Sequence, residues 1–336
     1  MFRKMLPVLV ICVSSSFAVH AAPGLRAARL EAMSGAAAGP VAPLAAVTTA
    51  GVPAPDSAHF TVPFVLPGDF TSAFDINDHG VIVGSLTSGD TSSAFVFRDG
   101  AAIVFDPPGA AGFSELGGVN SRGDAVGDYV DASGIDRGFL RSADGTIVDL
   151  PDPVPNFRIN LASGINAHGA IVGAFTTGPD FRSGCVGYLL REGRYQTIDI
   201  PGATCVFANG INDHGDIVGN WLDANRFAHG FLIRGGDRDH VARRQIVDLT
   251  IPGLRTVPLR MNERGEIVGD YAILVGRVLD IHGFVRRDDE VRTLDDPAGI
   301  DFSFLAGVTN GGVIVGSSSN GGYLAIPVSQ RPAHEH

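Results

Sequence analysis

The chain has 336 residues, including 44 glycines, and a formal net charge of −11. This length allows a large core, and so many glycines are typical of an all-β fold with many tight turns. The acidic balance argues against nucleic acid and anionic membrane surfaces as partners.

The first 21 residues have the layout of a secretory signal peptide. Residues 1–4 are basic, residues 5–13 are apolar, and Val19-His20-Ala21 offers a small-residue cleavage site. The apolar run is too short to span a bilayer as a stable helix, and no later run is long enough either. We therefore predict export to the periplasm or the medium, with no membrane anchor.

The next segment, residues 22–57, is rich in Ala, Gly and Pro and has few aromatic or β-branched residues. Such a segment buries too little apolar surface to offset its ordering entropy, so it is predicted to be a flexible leader. Residues 330–336 are predicted to be a solvated C-terminal tail. The folded domain is then expected to span residues 58–329.

One short motif recurs six times within this domain. It is Asn-x-x-Gly, followed four residues later by a second Gly, and successive copies are 43 to 50 residues apart. The first five copies begin at Asn77, Asn120, Asn166, Asn212 and Asn262 and place their first glycine at Gly80, Gly123, Gly169, Gly215 and Gly265. In the sixth copy, which ends in Gly312, Thr309 replaces the Asn. A fixed period of this size is typical of propellers and solenoid arrays.

Each copy is predicted to be a structural turn between two strands. Asn favours the first position of a type I turn, where its side chain bonds the backbone two residues on, and Gly accepts a positive φ at the fourth. Two further runs recur in phase: a small residue followed by aromatic and aliphatic residues, as in Gly230-Phe231-Leu232, and a β-branched run before proline, as at residues 197–201. Every repeat therefore contains four short strands, here named a to d in chain order.

Four-stranded sheets of this size must stack to bury their faces, so the sequence predicts an all-β fold, a six-bladed β-propeller of four-stranded antiparallel blades. The last repeat lacks a strand d, whereas residues 60–68 match one. We therefore predict that residues 62–66 complete the sheet that contains residues 323–326.

The pattern Gly-Ile-Asn-x-x-Gly-x-Ile-Val-Gly at residues 210–219, with residues 229–232 and 197–202, resembles the HAF-type repeats of bacterial extracellular proteins. The resemblance extends over residues 60 to 328. It implies an exported bacterial protein of propeller-like repeats and supplies no catalytic residues.

Two cysteines follow the signal peptide, Cys185 and Cys205. An even count in an oxidising compartment favours a disulfide, while two buried free thiols are also common in apolar sheets. The sequence leaves both open.

The connections between strands b and c vary most in length and composition, so their side of the domain is the predicted binding face. Candidate residues stand where these loops begin: Asp128, Tyr129, Asn220, Trp221, Asp270 and Tyr271. Exposed aromatic rings beside carboxylates suit a sugar-binding platform. The alternative, which we favour for all but Trp221, is packing between sheets.

No metal site or cofactor is predicted. His79, His168 and His214 share one repeat position and His229 and His282 another, but Arg occupies the same positions in other repeats and cannot ligate a metal. Bonds to neighbouring backbone carbonyls are the expected role for these histidines.

The sequence contains no familiar catalytic motif. We therefore interpret the protein as a monomeric, non-catalytic scaffold that binds an extracellular ligand such as a glycan or a protein. The alternative is a secreted polysaccharide hydrolase or lyase with acids at a channel mouth, for which a carboxylate with a raised pKa would be the signature.

Overall fold

The structure is a computed structural model that describes residues 52–235, 241, 245–275, 278–299 and 302–330. The predicted signal peptide, nearly all of the predicted leader and most of the tail lie outside the described residues. Within the described part of the chain, no helix is long and apolar enough to cross a membrane.

The described residues form 25 β-strands. Repeats 1 to 5 each contain one strand of each type from a to d, and repeat 6 contains strands a, b and c. Two strands precede the first repeat: β1 (Ala54–Pro55) and β2 (His59–Phe64). Repeat 1 contains β3 (Phe70–Ile76), β4 (Ile82–Ser88), β5 (Thr91–Arg98) and β6 (Ala101–Phe105). Repeat 2 contains β7 (Ala110–Val119), β8 (Ala125–Asp131), β9 (Asp136–Arg141) and β10 (Ile147–Asp149). Repeat 3 contains β11 (Ile159–Ile165), β12 (Ile171–Thr176), β13 (Val186–Arg191) and β14 (Arg194–Ile198).

The second half of the chain continues this series. Repeat 4 contains β15 (Cys205–Ile211), β16 (Ile217–Leu222), β17 (Ala228–Ile233) and β18 (Ile246–Asp248). Repeat 5 contains β19 (Arg255–Met261), β20 (Ile267–Val275), β21 (Val278–Arg287) and β22 (Glu290–Thr293). Repeat 6 contains β23 (Ser303–Val308), β24 (Ile314–Ser318) and β25 (Gly321–Pro327). Two short 3₁₀ turns, Phe181–Ser183 and Val328–Gln330, are also present.

Within each repeat the strands pair antiparallel with their chain neighbours, as the four-strand pattern predicted. Repeats 4 and 6 form separate sheets, whereas single bridge pairs join repeats 1, 2 and 3 into one twelve-stranded sheet. In every repeat, strand a carries a β-bulge just before the Asn turn. A bulge of this kind bends the strand that carries it.

The segment before repeat 1 pairs with the last strand of repeat 6. Strand β2 runs antiparallel to β25, with Val62 opposite Leu324 and Pro63 opposite Tyr323. This is the predicted pairing, except that it covers residues 59–64 and residues 65 and 66 lie beyond it. Strand β1, which was predicted to belong to the leader, adds a parallel fifth strand to β22.

The sheets bury their faces against one another rather than against helices. One hydrophobic cluster joins Val83 and Val96 of repeat 1 to Leu116 and Phe139 of repeat 2, and each later pair of neighbouring repeats shares a similar cluster. Strands β24 and β25 of repeat 6 lie against β3 of repeat 1. Sheets stacked in this radial way define a β-propeller.

The recurring motif forms the predicted turns. The side-chain oxygen of Asn77 accepts hydrogen bonds from the backbone of His79 and Val81, and Gly80 has a φ of 74°. The matching glycines of the other copies also have positive φ, including Gly312 behind Thr309.

The second glycine of the motif has a different role, because it lets strands a and b approach closely. A Cβ atom on Gly84 would overlap the backbone carbonyl oxygen of Ser72, whereas a Cβ on Gly80 would have no atom within 4 Å. We expect Gly84→Ala to lower the free energy of unfolding by about 3 kcal/mol through overpacking. We expect Gly80→Ala to cost only about 1 kcal/mol, the penalty of a positive φ. Chemical unfolding of both variants checks this, and equal losses would contradict the assignment.

The two cysteines are joined in a disulfide with a Cα–Cα distance of 4.4 Å. It links strand c of repeat 3 to strand a of repeat 4. A disulfide is compatible with an exported protein.

Candidate functional site

All six Asn turns lie around one pocket at the centre of the domain. We name this end of the domain the turn face, and the opposite end, which carries the b–c and d–a connections, the loop face. The pocket is open to solvent and measures about 620 Å³ with its mouth included. Every repeat contributes to its lining, which includes Asp78, Asn120, Asn166, Asp213, Glu263 and Asn310.

A belt of hydrogen bonds between turns holds the wall of the pocket in place. The side-chain amide of one Asn donates to the backbone carbonyl of the next turn, from Asn77 to Asn120, Asn120 to Asn166, Asn166 to Asn212 and Asn262 to Thr309. The local bond of each Asn was predicted from the sequence, but this second bond between repeats was not.

A second belt uses the residue that follows each Asn. Its side-chain oxygen accepts the backbone N–H of the equivalent residue in the preceding repeat: Asp213 from Ala167, Glu263 from Asp213, Asn310 from Glu263, and Asp78 of repeat 1 from Asn310. The last of these bonds connects repeat 6 to repeat 1.

Arg260 forms the floor of the pocket. Its guanidinium donates to the carbonyl oxygens of Gly117, Ser163, Asn209 and Leu259, which belong to repeats 2, 3, 4 and 5. Its Nε lies 3.1 Å from a carboxylate oxygen of Asp75 in repeat 1. One side chain thus contacts five repeats, and the residue is only 5% exposed.

Asp75 completes this centre. Its carboxylate also accepts the backbone N–H groups of Ile76 and Val119, and the residue is 7% exposed. Burial raises the pKa of the Asp75 carboxyl, while the Arg260 charge and these hydrogen bonds oppose that rise. Both residues of this ion pair belong to the lining of the pocket.

This ion pair was not predicted, although the sequence contains a signal for it. The residue directly after the bulge of strand a is glycine in four repeats, at Gly118, Gly164, Gly210 and Gly307. The same position holds Asp75 in repeat 1 and Arg260 in repeat 5. When the six copies are aligned on the Asn turn, this position holds glycine in four copies and a charged residue in the other two.

The predicted aromatic residues pack between sheets. Tyr129 is 3% exposed and lies with repeat 1 residues, and Tyr271 is fully buried against repeat 4. Trp221 is partly exposed and stacks on His229 with a ring separation of 4.3 Å. Packing was the favoured alternative for Tyr129 and Tyr271; Trp221, which was singled out as the exception, also packs against the hydrophobic cluster shared by repeats 3 and 4.

The predicted polar partners lie on the other side of the same sheets. Neighbouring residues of a strand point to opposite faces, so Asp128, Asn220 and Asp270 face the following repeat while the aromatic rings face the preceding one. Asp128 is 1% exposed, opposite Glu115. Asn220 is fully buried and accepts a hydrogen bond from the Asn209 amide. The sheets thus separate each ring from its neighbouring acid or amide, and no joint platform forms among these six described residues.

Asp270 differs in its electrostatics, because burial raises the pKa of its carboxyl to about 7. The folded chain then keeps this proton between pH of about 4 and 7, where the unfolded chain loses it, so stability falls as pH rises through that range. We expect Asp270→Asn, which cannot ionise, to gain stability relative to the unaltered chain when pH is raised from about 4 to 8. Urea unfolding at both pH values measures this difference, and parallel pH profiles for the two chains would contradict it.

Three of the five histidines, His214, His229 and His282, contact carboxylates or rings rather than the backbone carbonyls that were expected. His214 lies 2.9 Å from Glu263, and His282 lies 2.8 Å from Asp295 and stacks on Tyr271. Among the described residues, no group of three His, Cys, Asp or Glu side chains is placed to hold a metal ion.

No protein-family model and no curated protein sequence matches the chain. Its structure is similar to a streptogramin B lyase, with a TM-score of 0.42, 12% identity and coverage of 80% of this chain and 98% of the other. It is also similar to TolB from Acinetobacter baumannii, with a TM-score of 0.45, 12% identity and coverage of 78% and 55%, so this chain spans about half of TolB.

A third similar structure is the β-propeller domain of the trilobed protease from Pyrococcus furiosus, which has an open velcro topology. Its TM-score is 0.42, with 10% identity and coverage of 78% of this chain and 93% of the other. All three likenesses are remote, so they assign neither a ligand nor a reaction to this chain.

Proposed function

We propose that this chain is an exported protein, related to the HAF-type repeats, whose six repeats close into a six-bladed ring. Three contacts support closure: β2 pairs with β25, Asp78 accepts a hydrogen bond from Asn310, and β24 lies against β3. Each joins the chain's first repeat, or the strand before it, to the last. The signal-peptide pattern and the disulfide support export.

We propose further that the ring is a binding module and that its site is the turn-face pocket. The observation that carries this proposal is that all six repeats line one open pocket at the centre of the ring. A ligand seated there contacts every repeat at once. The variable loops had favoured a site on the loop face instead, and the experiment below compares the two.

The charges around the pocket indicate the class of ligand. Asp78, Asp213 and Glu263 line it, while the charge of Arg260 is committed to Asp75 and to carbonyl oxygens. The pocket therefore presents carboxylates to an incoming group and suits a cationic one, such as a basic side chain of a partner protein.

The same carboxylates are held in advance by the rest of the ring. Asp78, Asp213 and Glu263 each accept a backbone N–H from a neighbouring turn. Acceptors fixed in this way lose little entropy when a ligand binds. This preorganisation favours recognition.

Calorimetric titration of the mature chain with an arginine-rich peptide, and with acidic and neutral peptides of equal length, tests the proposal. We expect only the basic peptide to bind, and Asp213→Asn with Glu263→Gln to weaken binding about tenfold, because both replacements keep the belt acceptors but remove charge. Asp90→Asn, an exposed change on the loop face, serves as the control. If Asp90→Asn weakens binding and the two pocket replacements do not, the site lies on the loop face. A change in Trp221 fluorescence when the ligand binds would lead to the same conclusion.

A second candidate function, cleavage of a polysaccharide, is favoured by one observation: the Asp270 carboxyl, with a pKa of about 7, is suited to act as a general acid. Screening the mature chain against acidic and neutral polysaccharides tests it. Activity that disappears in Asp270→Asn would support the enzyme, and the absence of product from every substrate would reject it.

A further inference from the structure

The second belt of hydrogen bonds is interrupted on one side of the pocket. At four junctions a side-chain oxygen accepts a backbone N–H from the preceding repeat, and these oxygens belong to Asp213, Glu263, Asn310 and Asp78. Repeats 2 and 3 carry Ser121 and Ala167 at the same position. Alanine has no acceptor, and the Ser121 hydroxyl makes no hydrogen bond to any described residue. The belt is therefore open where repeat 1 meets repeat 2 and where repeat 2 meets repeat 3.

This gap leaves two backbone N–H groups without an acceptor among the described residues. In the intact part of the belt, the N–H of the residue after each Asn points to the equivalent side chain of the next repeat. The same geometry directs the N–H of Asp78 toward Ser121 and the N–H of Ser121 toward Ala167. Asp78 and Ser121 are exposed and line the pocket. Two neighbouring donors are thus available to an acceptor on a ligand.

The carboxylates of the pocket lie mainly across from this gap. In a ring of six repeats, the junction of repeats 1 and 2 is opposite the junction of repeats 4 and 5, where Glu263 accepts its belt hydrogen bond. Both carboxylate oxygens of Asp78 already accept hydrogen bonds from Asn310, at the junction of repeats 6 and 1. At the gap itself, Arg122 donates to the carbonyl oxygen of Ala167. The wall of the pocket therefore has donors and a cation on one side and carboxylates on the other.

We propose that the turn-face pocket binds the C-terminal residue of a partner protein, and that this residue is arginine or lysine. Its carboxylate accepts the N–H groups of Asp78 and Ser121, and its side-chain cation reaches Asp213 and Glu263, which line the same pocket. The inference rests on the function proposed above and names the part of the basic partner that enters the pocket.

A terminal carboxylate suits the gap better than the carbonyl of an internal peptide group. Hydrogen bonds from backbone N–H groups to an ionised acceptor are about twice as strong as those to a neutral one. Capture of a C-terminal carboxylate by backbone N–H groups is also a recurring mode of peptide recognition. The intact belt uses the same chemistry, because Asp213, Glu263 and Asp78 accept their N–H groups through carboxylates. The bound carboxylate thus completes the belt.

Calorimetric titration of the mature chain with three peptides of equal length tests this assignment. The first ends in arginine with a free carboxylate, the second is the same peptide amidated at its C-terminus, and the third keeps the free carboxylate but has its arginine at the centre. We expect the first to bind about tenfold more tightly than the other two. Amidation makes the peptide more positive, so attraction to the acidic pocket alone would favour the second. Equal binding of the first peptide and either of the others would overturn the proposal.

Closing the belt by substitution should remove the carboxylate subsite. Asn310 accepts the belt N–H of Glu263 through a neutral amide, so Ser121→Asn with Ala167→Asn should supply the two missing acceptors. We expect this double variant to bind the free acid no more tightly than the amide. His168→Asn, an exposed change outside the pocket lining, is the control and should keep the preference for the free acid. A preference that survives in the double variant would contradict the proposal.

Two further results keep this inference separate from the proposed function. If the free acid and the amide bind equally and both weaken in Asp213→Asn with Glu263→Gln, the C-terminal assignment fails and the binding site stands. If none of the three peptides binds, the proposed function fails together with this inference. Circular dichroism checks that the double variant is folded, and if it is not, the three peptides on the unaltered chain decide the question.

Discussion

Arg260→Met is expected to lower the free energy of unfolding by about 3 to 5 kcal/mol, the usual cost of removing one partner of a buried ion pair. The cost arises because Asp75, 7% exposed, would lose the guanidinium that faces it and would have to take up a proton or remain a buried, uncompensated charge. Four backbone carbonyls in repeats 2 to 5 would also lose a donor. Urea unfolding of the mature chain, followed by circular dichroism, measures the change.

The double variant with Asp75→Asn is the control for this prediction. Removing both charges still leaves the four carbonyls without the guanidinium donor, but no buried carboxylate is left without a counter-charge. We therefore expect the free energy of unfolding of the double variant to be about 2 kcal/mol higher than that of Arg260→Met. The N–H groups of Ile76 and Val119 bond different oxygens of Asp75, so the amide oxygen introduced by the replacement accepts only one of them. A double variant no more stable than the single one would show that Arg260 acts through its carbonyl contacts and not through Asp75.

The repeating parts of the fold could be predicted from the sequence because their causes are local. An Asn that bonds the backbone two residues on, and a Gly with positive φ, are determined within about five residues of chain. Six regularly spaced copies then led to the strand order and to the pairing of β2 with β25. Strand β1 has no such repeat signal, because it is two residues long and depends on Thr293 and Arg287.

The centre of the molecule could not be predicted in the same way, because its contacts join repeats that are far apart in the chain. Arg260 and Asp75 are far apart in the chain, and their meeting follows only from the close approach of all six strands a. That approach requires glycine at the remaining positions: a Cβ on Gly118 would lie 2.8 Å from the carbonyl oxygen of Ser163, and one on Gly307 would lie 2.7 Å from Asp75.

The proposed site lies on the face opposite to the one predicted from the sequence, for a related reason. From the sequence, the uniform turns were interpreted as scaffold and the variable loops as the binding surface. The uniform Asn-x-x-Gly residues do build the wall, but the residue after each Asn is not uniform. The residue type at this position differs between repeats, and the pocket owes its charge to Asp78, Asp213 and Glu263. The proposed site is thus marked by positions near the centre of the domain that break the repeat, whereas the loop-face site stays a prediction.

The disulfide is expected to contribute about 3 kcal/mol to stability, because it closes a loop of 20 residues in the unfolded chain. Repeats 3 and 4 are also joined without it: Val206 donates its backbone N–H to the carbonyl of Cys185, and Cys205 belongs to one hydrophobic cluster with Leu161 and Ala174 of repeat 3. The folded contacts should therefore survive in Cys185→Ala with Cys205→Ala, and the loss should come from the greater freedom of the unfolded chain.

Thiol reductant provides the matched experiment. We expect it to lower the unfolding midpoint of the unaltered chain to nearly that of the double alanine variant, and to leave the variant unchanged. If the unaltered chain resists reductant while the variant unfolds early, the alanines have damaged the packing around Cys205. In that case the cysteine side chains would stabilise the folded chain by packing, and the bridge itself would contribute little.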